Sequence, residues 1–454
     1  MIFDSWKQKR ILILGFGREG RSTLAFLRHH FPDKPLFVAD QDASLPQKHS
    51  GYKDITWITG ARYLEGIEDY EVIIKSPGIP LRETKNSLIT SQTDLFLQLY
   101  RKQIIGVTGT KGKSTTASLI YHIVRQQQSN ALLTGNIGIA PLDKHTDIDD
   151  KTIIIQEMSA HQLEHIHVAP HIAVFLNLFE EHLDHFTTRE HYYAAKRNIL
   201  MRQNNHDLAI LNAEESLNGA LEAHSKYPAE VARFALAPAH GLTACIENGS
   251  IVMNDEEGSL SFPVDELGIA GAHNHLNAMA AMIAARRAGI SREHILQGLI
   301  SFEGLPHRLE YAGTVNGVLF YNDAISTVPE ATIQALKTLQ NTHTLILGGY
   351  DRKINYGQLY QYLRSASVRQ IIFTGPAGKR MQKEYQGPQT MIILDDMQQI
   401  ADYSIKHTPA GKACLLSPAA ASYDRYKNFE ERGDTFRRAI TQKQQKDTHT
   451  NENH

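Results

Sequence analysis

The stretch Ile104 to Val124, IIGVTGTKGKSTTASLIYHIV, limits most severely what this chain can become. Ile104 to Val107 has the composition of a buried strand. A polar, glycine-containing turn runs from Thr108 to Lys113, and Leu119, Ile120, Ile123 and Val124 recur at the spacing of one helix face. Strand, glycine loop and a helix opening on Gly-Lys-Ser are the layout of a phosphate cradle. Backbone N–H groups and the helix dipole meet the anion, Lys113 adds positive charge, and Ser114 offers a hydroxyl to Mg²⁺. An ordinary glycine turn is the plainer alternative, but residue order and context together favour the cradle. The loop is a variant: the strict pattern wants glycine six residues before Lys113, where Val107 stands between Gly106 and Gly109.

A second glycine loop lies upstream. Strand Ile11 to Leu14 meets Gly15-Phe16-Gly17-Arg18-Glu19-Gly20 and then a helical pattern, the full dinucleotide fingerprint in strand-to-helix context. A second strand, Leu36 to Ala39, ends at Asp40, about where an acidic ribose contact would lie. By itself this points to an NAD-type cofactor, to another nucleotide in the same crevice, or to a tight turn that binds nothing. Tyr70 to Ile74 runs into Lys75-Ser76-Pro77-Gly78, again at the carboxyl end of a strand, where open α/β sheets bind ligands.

The rest of the chain repeats this alternation. Strand Ile153 to Gln156 delivers Glu157 and Ser159, and Glu157 could hold Mg²⁺ beside the phosphate loop or simply face water. Ile172 to Leu178 leads to Glu180-Glu181-His182-Leu183-Asp184-His185, a grouping able to bind a divalent ion. Lys196 lies on a helical stretch, Tyr192 to Leu200, and composition makes it a surface lysine. An Asn-Gly signal in Ile246 to Val252 predicts a hairpin and a small antiparallel addition. Gly271 to Arg287 predicts a helix, with Asn274 and Asn277 as caps or purine contacts. Strands at Val318 to Tyr321, Thr344 to Leu347, Gln370 to Thr374, Met391 to Leu394 and Cys414 to Leu416 predict a mainly parallel third sheet. Thr441 to His454 reads as a disordered polar tail. The expected fold is α/β in three domains: a Rossmann-like 1–100, a central P-loop ATPase-type 101–302 with the antiparallel addition, and a Rossmann-like 303–454. A formal charge of -2 argues against a general nucleic-acid binder, and two cysteines argue against a disulfide framework. With no long apolar run and no leader pattern, a soluble cytoplasmic protein is expected.

Two nucleotide-type crevices suit an ATP-driven enzyme with a nucleotide-linked substrate. Gly106 to Thr115 resembles the ATP loop of the Mur ligases. The resemblance continues in order through Asn136-Ile137-Gly138, Glu157-x-Ser159-x-x-Gln162-Leu163, Asn177, His182-Leu183-Asp184 and Ala194-Ala195-Lys196. It then runs through His273-Asn274-x-x-Asn277, Gly304-Leu305-x-His307-Arg308-x-Glu310, Leu416 to Ser422 and Asn428-Phe429-x-x-Arg432-Gly433. It implies addition of D-glutamate to UDP-N-acetylmuramoyl-L-alanine, with ATP and Mg²⁺, through an acyl phosphate, in peptidoglycan precursor synthesis by a monomer. It implies that Gly15, Phe16, Gly17, Arg18, Asp40, Ser76, Pro77 and Gly78 hold UDP rather than NAD, with Asn136 and Ser159 on the muramoyl part. ATP falls to Gly109, Thr110, Lys111, Gly112, Lys113, Ser114, Thr115, Asn277, Arg308 and Asp323. Metal falls to Ser114, Glu157, His182 and a carbamylated Lys196; Lys113, Glu157, His182 and Lys196 form the catalytic set. Thr327, Arg352, Ser422 and Phe429 receive glutamate.

The departures gather at that last site. Where the resembling ligases have Asn-Asp-Ser-Lys-Ala-Thr-Asn, this chain has Asn322-Asp323-Ala324-Ile325-Ser326-Thr327-Val328, losing a lysine at Ile325. The usual Gly-Gly-x-Asp-Lys becomes Gly348-Gly349-Tyr350-Asp351-Arg352, and arginine can bond both carboxylate oxygens where lysine acts as a point charge. An L-glutamate-adding ligase is therefore an alternative. A folylpolyglutamate synthetase-like ligase would lack the Gly15 to Gly20 unit, and an NAD-dependent oxidoreductase would leave the second loop without purpose. Domain joints near residues 100 and 302 predict hinge motion.

Overall fold

The computed structural model describes residues 2–81, 88–136, 139–179, 183–186, 188–214, 227–269 and 271–451. Among the described residues the strands form three sheets, in three successive stretches of chain. The first holds β1 (Ile11–Leu14), β2 (Leu36–Asp40), β3 (Ile55–Thr59), β4 (Val72–Lys75) and β5 (Leu88–Thr90), in the order β3-β2-β1-β4-β5. Its pairs are all parallel. The chain leaves β1 to one side for β2 and returns to the other for β4, so the loops after β1 and β4 part and open a crevice at their carboxyl ends.

The second sheet holds β6 (Ile104–Thr108), β7 (Ala131–Gly135), β8 (Ile153–Glu157), β9 (Ile172–Phe175), β10 (Leu208–Asn212) and β11 (Glu230–Phe234). It continues with β12 (Ala244–Glu247), β13 (Ser250–Asp255) and β14 (Gly258–Pro263), in the order β14-β13-β12-β11-β10-β9-β6-β8-β7. β6 lies between β8 and β9, parallel to both, which repeats the parting of loops at the phosphate loop. The expected hairpin is present: Glu247 pairs with Ser250 across Asn248 and Gly249, both at positive φ. It extends the same sheet rather than forming a separate one, because β12 pairs in parallel with β11. Helix Lys113–Gln127 packs against helix Ala272–Arg287, whose small alanines let the two approach closely.

The third sheet holds β15 (Glu310–Val315), β16 (Val318–Asn322), β17 (Thr342–Gly348), β18 (Gln370–Thr374), β19 (Thr390–Ile393) and β20 (Ala413–Leu416). Its order is β15-β16-β20-β17-β18-β19, so the ends of β16, β20 and β17 are neighbours. β15 begins within the segment read as a linker from Gly304 to Glu310. The last helix is Phe429–Asn451, so the polar tail expected from Thr441 onward is helical as far as Asn451. Its start is tied down: Gln444 Nε2 donates to the Thr314 carbonyl at 3.0 Å, and Lys443 pairs with Asp402.

The chain divides into two compact units. Met1–Gly268 with Ala272–Phe302 carries the first two sheets, and Ile269–Gly271 with Glu303–His454 carries the third. Among the described residues no helix is long and apolar enough to cross a membrane.

Candidate active site

β6 runs to Thr108, so Val107 is a fully buried strand residue, paired with Glu157 on β8 and Val174 on β9. The turn starts at Gly109, two residues later than the strict pattern would have it. Gly112 closes the loop at φ +83, and a Cβ there would stand 2.6 Å from Asn277 Oδ1, so only glycine fits between loop and helix. Lys113 begins the helix, with Ser114 half-buried beside it. The Lys113 ammonium donates to the carbonyls of Gly109 and Thr110, both at 3.0 Å.

Lys196 is not a surface lysine. It is 2% exposed, and its Nζ donates to the same Gly109 carbonyl at 2.8 Å, over the Tyr192 ring. Composition misses this because burial of one helix position depends on what packs against it. Glu157 is 1% exposed at the end of β8. Its Oε1 accepts from Asn136 Nδ2 at 2.9 Å, while its buried Oε2 has no hydrogen-bond partner among the described residues. A buried carboxylate oxygen left unsatisfied beside a phosphate loop is what a hard divalent cation fits. Glu180, Glu181 and His182 lie outside the described residues, as do the side chains of Leu183 and Asp184.

Asn277 is not a helix cap. It is buried one turn into its helix, where Oδ1 accepts from Thr116 Oγ1 at 3.1 Å and Nδ2 donates to Asn274 at 3.0 Å. Asn177 carries a structural part that went unassigned. Its side-chain amide takes the Lys111 N–H at 2.8 Å and gives to the Lys111 carbonyl at 3.0 Å. Thr110 is held from the same side, its N–H on the Asn177 carbonyl and its Oγ1 on Phe179 N and Tyr192 OH. A polar residue directly after an apolar strand beside β6 was the available signal.

The crevice of the first sheet encloses about 520 Å³ and is lined by Gly15, Gly17, Arg18, Asp40, Ser76 and Pro77, with Glu19 and Gly78. Asp40 holds the loop itself: one oxygen takes the Phe16 N–H at 2.7 Å, the other the Asp42 N–H at 2.9 Å. Phe16 is buried against Trp57 and His49. Ser76 Oγ donates to the Gly15 carbonyl at 3.1 Å, tying the two loops of the crevice.

Ser159 opens a short helix as half of a capping box, its Oγ taking the Gln162 N–H while Gln162 Oε1 takes the Ser159 N–H. The pattern Ser-x-x-Gln was legible for that purpose. Gln162 Nε2 also donates to Glu19 Oε1 at 2.9 Å, joining the crevice to the second sheet. Burial raises the Glu19 pKa. Lys75, unassigned in sequence, is buried and pairs with Glu164 at 3.0 Å. Burial lowers the Lys75 pKa more than Glu164 raises it. Burial also works to raise the pKa of Glu164, but hydrogen bonds and charge from His165 and Lys75 outweigh it and hold it at about 2.

In the second unit Asp323 is 2% exposed at the end of β16. Its carboxylate accepts from Ser417 Oγ at 2.7 Å and the Leu309 N–H at 3.2 Å, and burial pushes its pKa up to about 6. Arg308 is half-buried nearby, its Nε without a partner among the described residues. Arg352 is exposed and donates to the Thr327 carbonyl at 2.9 Å. Ser422 is buried, and Phe429 lies half-buried with its ring 6.1 Å from that of His307. Ile325 is half-buried.

Two family descriptions match this chain: "Mur ligase middle domain" over residues 107–285 and "Mur ligase, glutamate ligase domain" over residues 307–420. It is 31% identical to the UDP-N-acetylmuramoylalanine--D-glutamate ligase of Geobacillus sp. (strain WCH70), over 96% of this chain and 98% of the relative. It is 32% identical to the protein of the same name from Bacillus subtilis (strain 168), over the same shares. Among solved structures it is similar in fold to the MurF ligase of Thermotoga maritima in complex with ADP, at 17% identity and a TM-score of 0.55, over 96% of each chain. The MurC UDP-N-acetylmuramate-alanine ligase of the same organism matches at 15% identity and a TM-score of 0.55, over 96% of this chain and 100% of that one.

Proposed function

Because the chain belongs to the Mur ligase family, we propose that it is an ATP-dependent ligase that joins D-glutamate to UDP-N-acetylmuramoyl-L-alanine in peptidoglycan precursor synthesis. The observation that carries this reading is the meeting of Lys113 and Lys196 on one loop carbonyl, Gly109, with Glu157 in register on the adjacent strand. Whole-chain similarity to relatives named for that reaction supports it.

The γ-phosphoryl group of ATP passes to the alanyl carboxylate and ADP departs. The glutamate amine attacks the carbonyl carbon of the acyl phosphate, and phosphate leaves from the tetrahedral intermediate, closing the amide. The chain's part is positioning and neutralisation of charge. N–H groups from Gly109 to Thr115 and the Lys113 ammonium take the ATP phosphates. Asn277, Arg308 and Asp323 take the rest of the nucleotide. Ser114 and Glu157 would hold Mg²⁺, which supplies charge neutralisation at the phosphates, and the unsatisfied Glu157 oxygen suits that ion. His182 and a carbamylated Lys196 would hold a second ion; carbamylation turns a buried cation into an anion. The Gly15 to Arg18 loop, Asp40 and Ser76 to Gly78 take UDP, with Asn136 and Ser159 on the muramoyl part. Thr327, Arg352, Ser422 and Phe429 take glutamate. Residues 1–100, 101–302 and 303–454 act as three functional domains of a cytoplasmic monomer.

A phosphate-release assay with ATP, Mg²⁺, UDP-N-acetylmuramoyl-L-alanine and either enantiomer tests the reading. Release with D-glutamate is expected. Release with L-glutamate alone reverses the enantiomer, and release with neither sinks the assignment.

A further inference from the structure

Arg432 is 2% exposed, in the first turn of helix Phe429–Asn451. Every hydrogen bond of its side chain among the described residues goes to a backbone carbonyl. Nη1 donates to Ala420 at 3.1 Å, Ala421 at 3.2 Å and Gly348 at 3.5 Å. Nη2 donates to Ala324 at 2.8 Å and Ala420 at 3.1 Å. Ala324, Ala420 and Ala421 lie on the loops that leave β16 and β20, and Gly348 is the last residue of β17, so the carbonyls mark the three neighbouring strand ends. Thr327 follows Ala324 on the first loop, Arg352 follows Gly348 on the second, and Ser422 adjoins Ala421 on the third. Phe429 precedes Arg432 by one turn of its own helix. One guanidinium thus binds every chain segment that carries a group assigned to glutamate.

Gly349 makes room for it. At φ +137, a Cβ there would stand 2.2 Å from the Ala421 carbonyl and 2.9 Å from Nη1. The loops are also bonded to one another, Tyr350 N–H to Ala421 O and Gly348 N–H to Pro418 O, both at 2.8 Å. Holding loops together does not by itself require a full charge. A buried cation with only carbonyl partners is costly, and burial pulls its pKa down to about 10 against the opposing pull of Asp424 and Tyr426. Such a cost is offset where an anion binds close to the buried cation.

We propose that Arg432 is the positioning residue of the amino-acid site, fixing the three strand-end loops and holding a positive charge beneath a dicarboxylate substrate. This rests on the reading that the second unit receives glutamate. The fork matters as well as the charge, because a lysine reaches fewer of the carbonyls.

The test is steady-state kinetics of the full chain with glutamate, ATP and UDP-N-acetylmuramoyl-L-alanine varied in turn. Arg432→Lys is expected to raise KM for glutamate about tenfold, the effect of losing one or two hydrogen bonds, with both other KM values within about twofold. A parallel rise in all three, or a fall in kcat at unchanged glutamate KM, overturns the proposal. Asp424→Asn, at a half-buried site, keeps the charge effect testable if Arg432→Lys does not fold. Removing that carboxylate is expected to lower the glutamate KM about two- to threefold, less at high salt; an unchanged or raised KM counts against the charge. Wild-type release with neither enantiomer would instead defeat the functional reading, independently of either variant.

Discussion

Lys75 and Glu164 are a buried ion pair with unequal partners, and the inequality is measurable. The Lys75 side chain is 1% exposed and that of Glu164 is 23% exposed. Removing one member of a buried pair costs about 3–5 kcal/mol when the survivor stays buried and charged. Glu164→Gln leaves the Lys75 ammonium in that position, so a loss of about 3 kcal/mol or more is expected. Lys75→Met leaves Glu164 with water access and with His165 and His185 nitrogens each 3.5 Å away, so the expected loss is about 1–2 kcal/mol. The double variant removes both members of the pair and should fall well short of the sum of the singles. Urea unfolding at pH 7 measures all four proteins. The two tryptophans, Trp6 and Trp57, both belong to the first unit and report on it by fluorescence. If Lys75→Met costs as much as Glu164→Gln, or the two losses simply add, the reasoning from unequal burial is wrong.

Three further outcomes follow from the site. Asp323, whose pKa is raised from 3.8 to about 6, favours the folded state fully below pH 3.8 and loses that contribution as pH rises through 6. Asp323→Asn should therefore remove a stability loss of up to about 3 kcal/mol between those values, read from urea midpoints by far-UV circular dichroism, because both tryptophans lie in the first unit, across pH 3.5 to 7 in steps of about half a unit. Asn177→Ala removes the two side-chain bonds to the Lys111 backbone, and their loss should raise the Kd for ATP about tenfold by calorimetry; an unchanged Kd refutes the clamp. Lys113→Ala should lower phosphate release by about a hundredfold or more, and activity within tenfold of wild type would remove the lysine from the phosphate site.

Both glycine loops and most strands of the three sheets were legible, because a buried parallel strand is a short apolar run bounded by turn residues. Elements whose stability comes from neighbours were not. Glu230–Phe234 reads EVARF and has no apolar run, yet it pairs with β10 and carries the hairpin outward. At the phosphate loop, local order announced Lys113 and Ser114. Burial of Lys196 needed the helix placed over the loop, and the Asn177 clamp needed two strands side by side. Arg432 was visible as part of a motif, but its purpose depends on three loops that meet only in the folded sheet. Lys75 looked like a charged strand end; its partner lies 89 residues further on.

The Asn177 clamp also says something about the order of events as the chain is made. Lys111 meets its amide partner 66 residues later, and Thr110 meets Tyr192 82 residues later. β6 acquires its second neighbour only when β9 has emerged. A ribosome-bound chain that stops short of Tyr192 holds the glycine loop from Gly109 to Lys113 without the contacts that shape it. Closing such distant contacts is slow compared with forming a local helix turn. The loop therefore takes its final shape only after the chain has been made as far as Tyr192, well beyond β9.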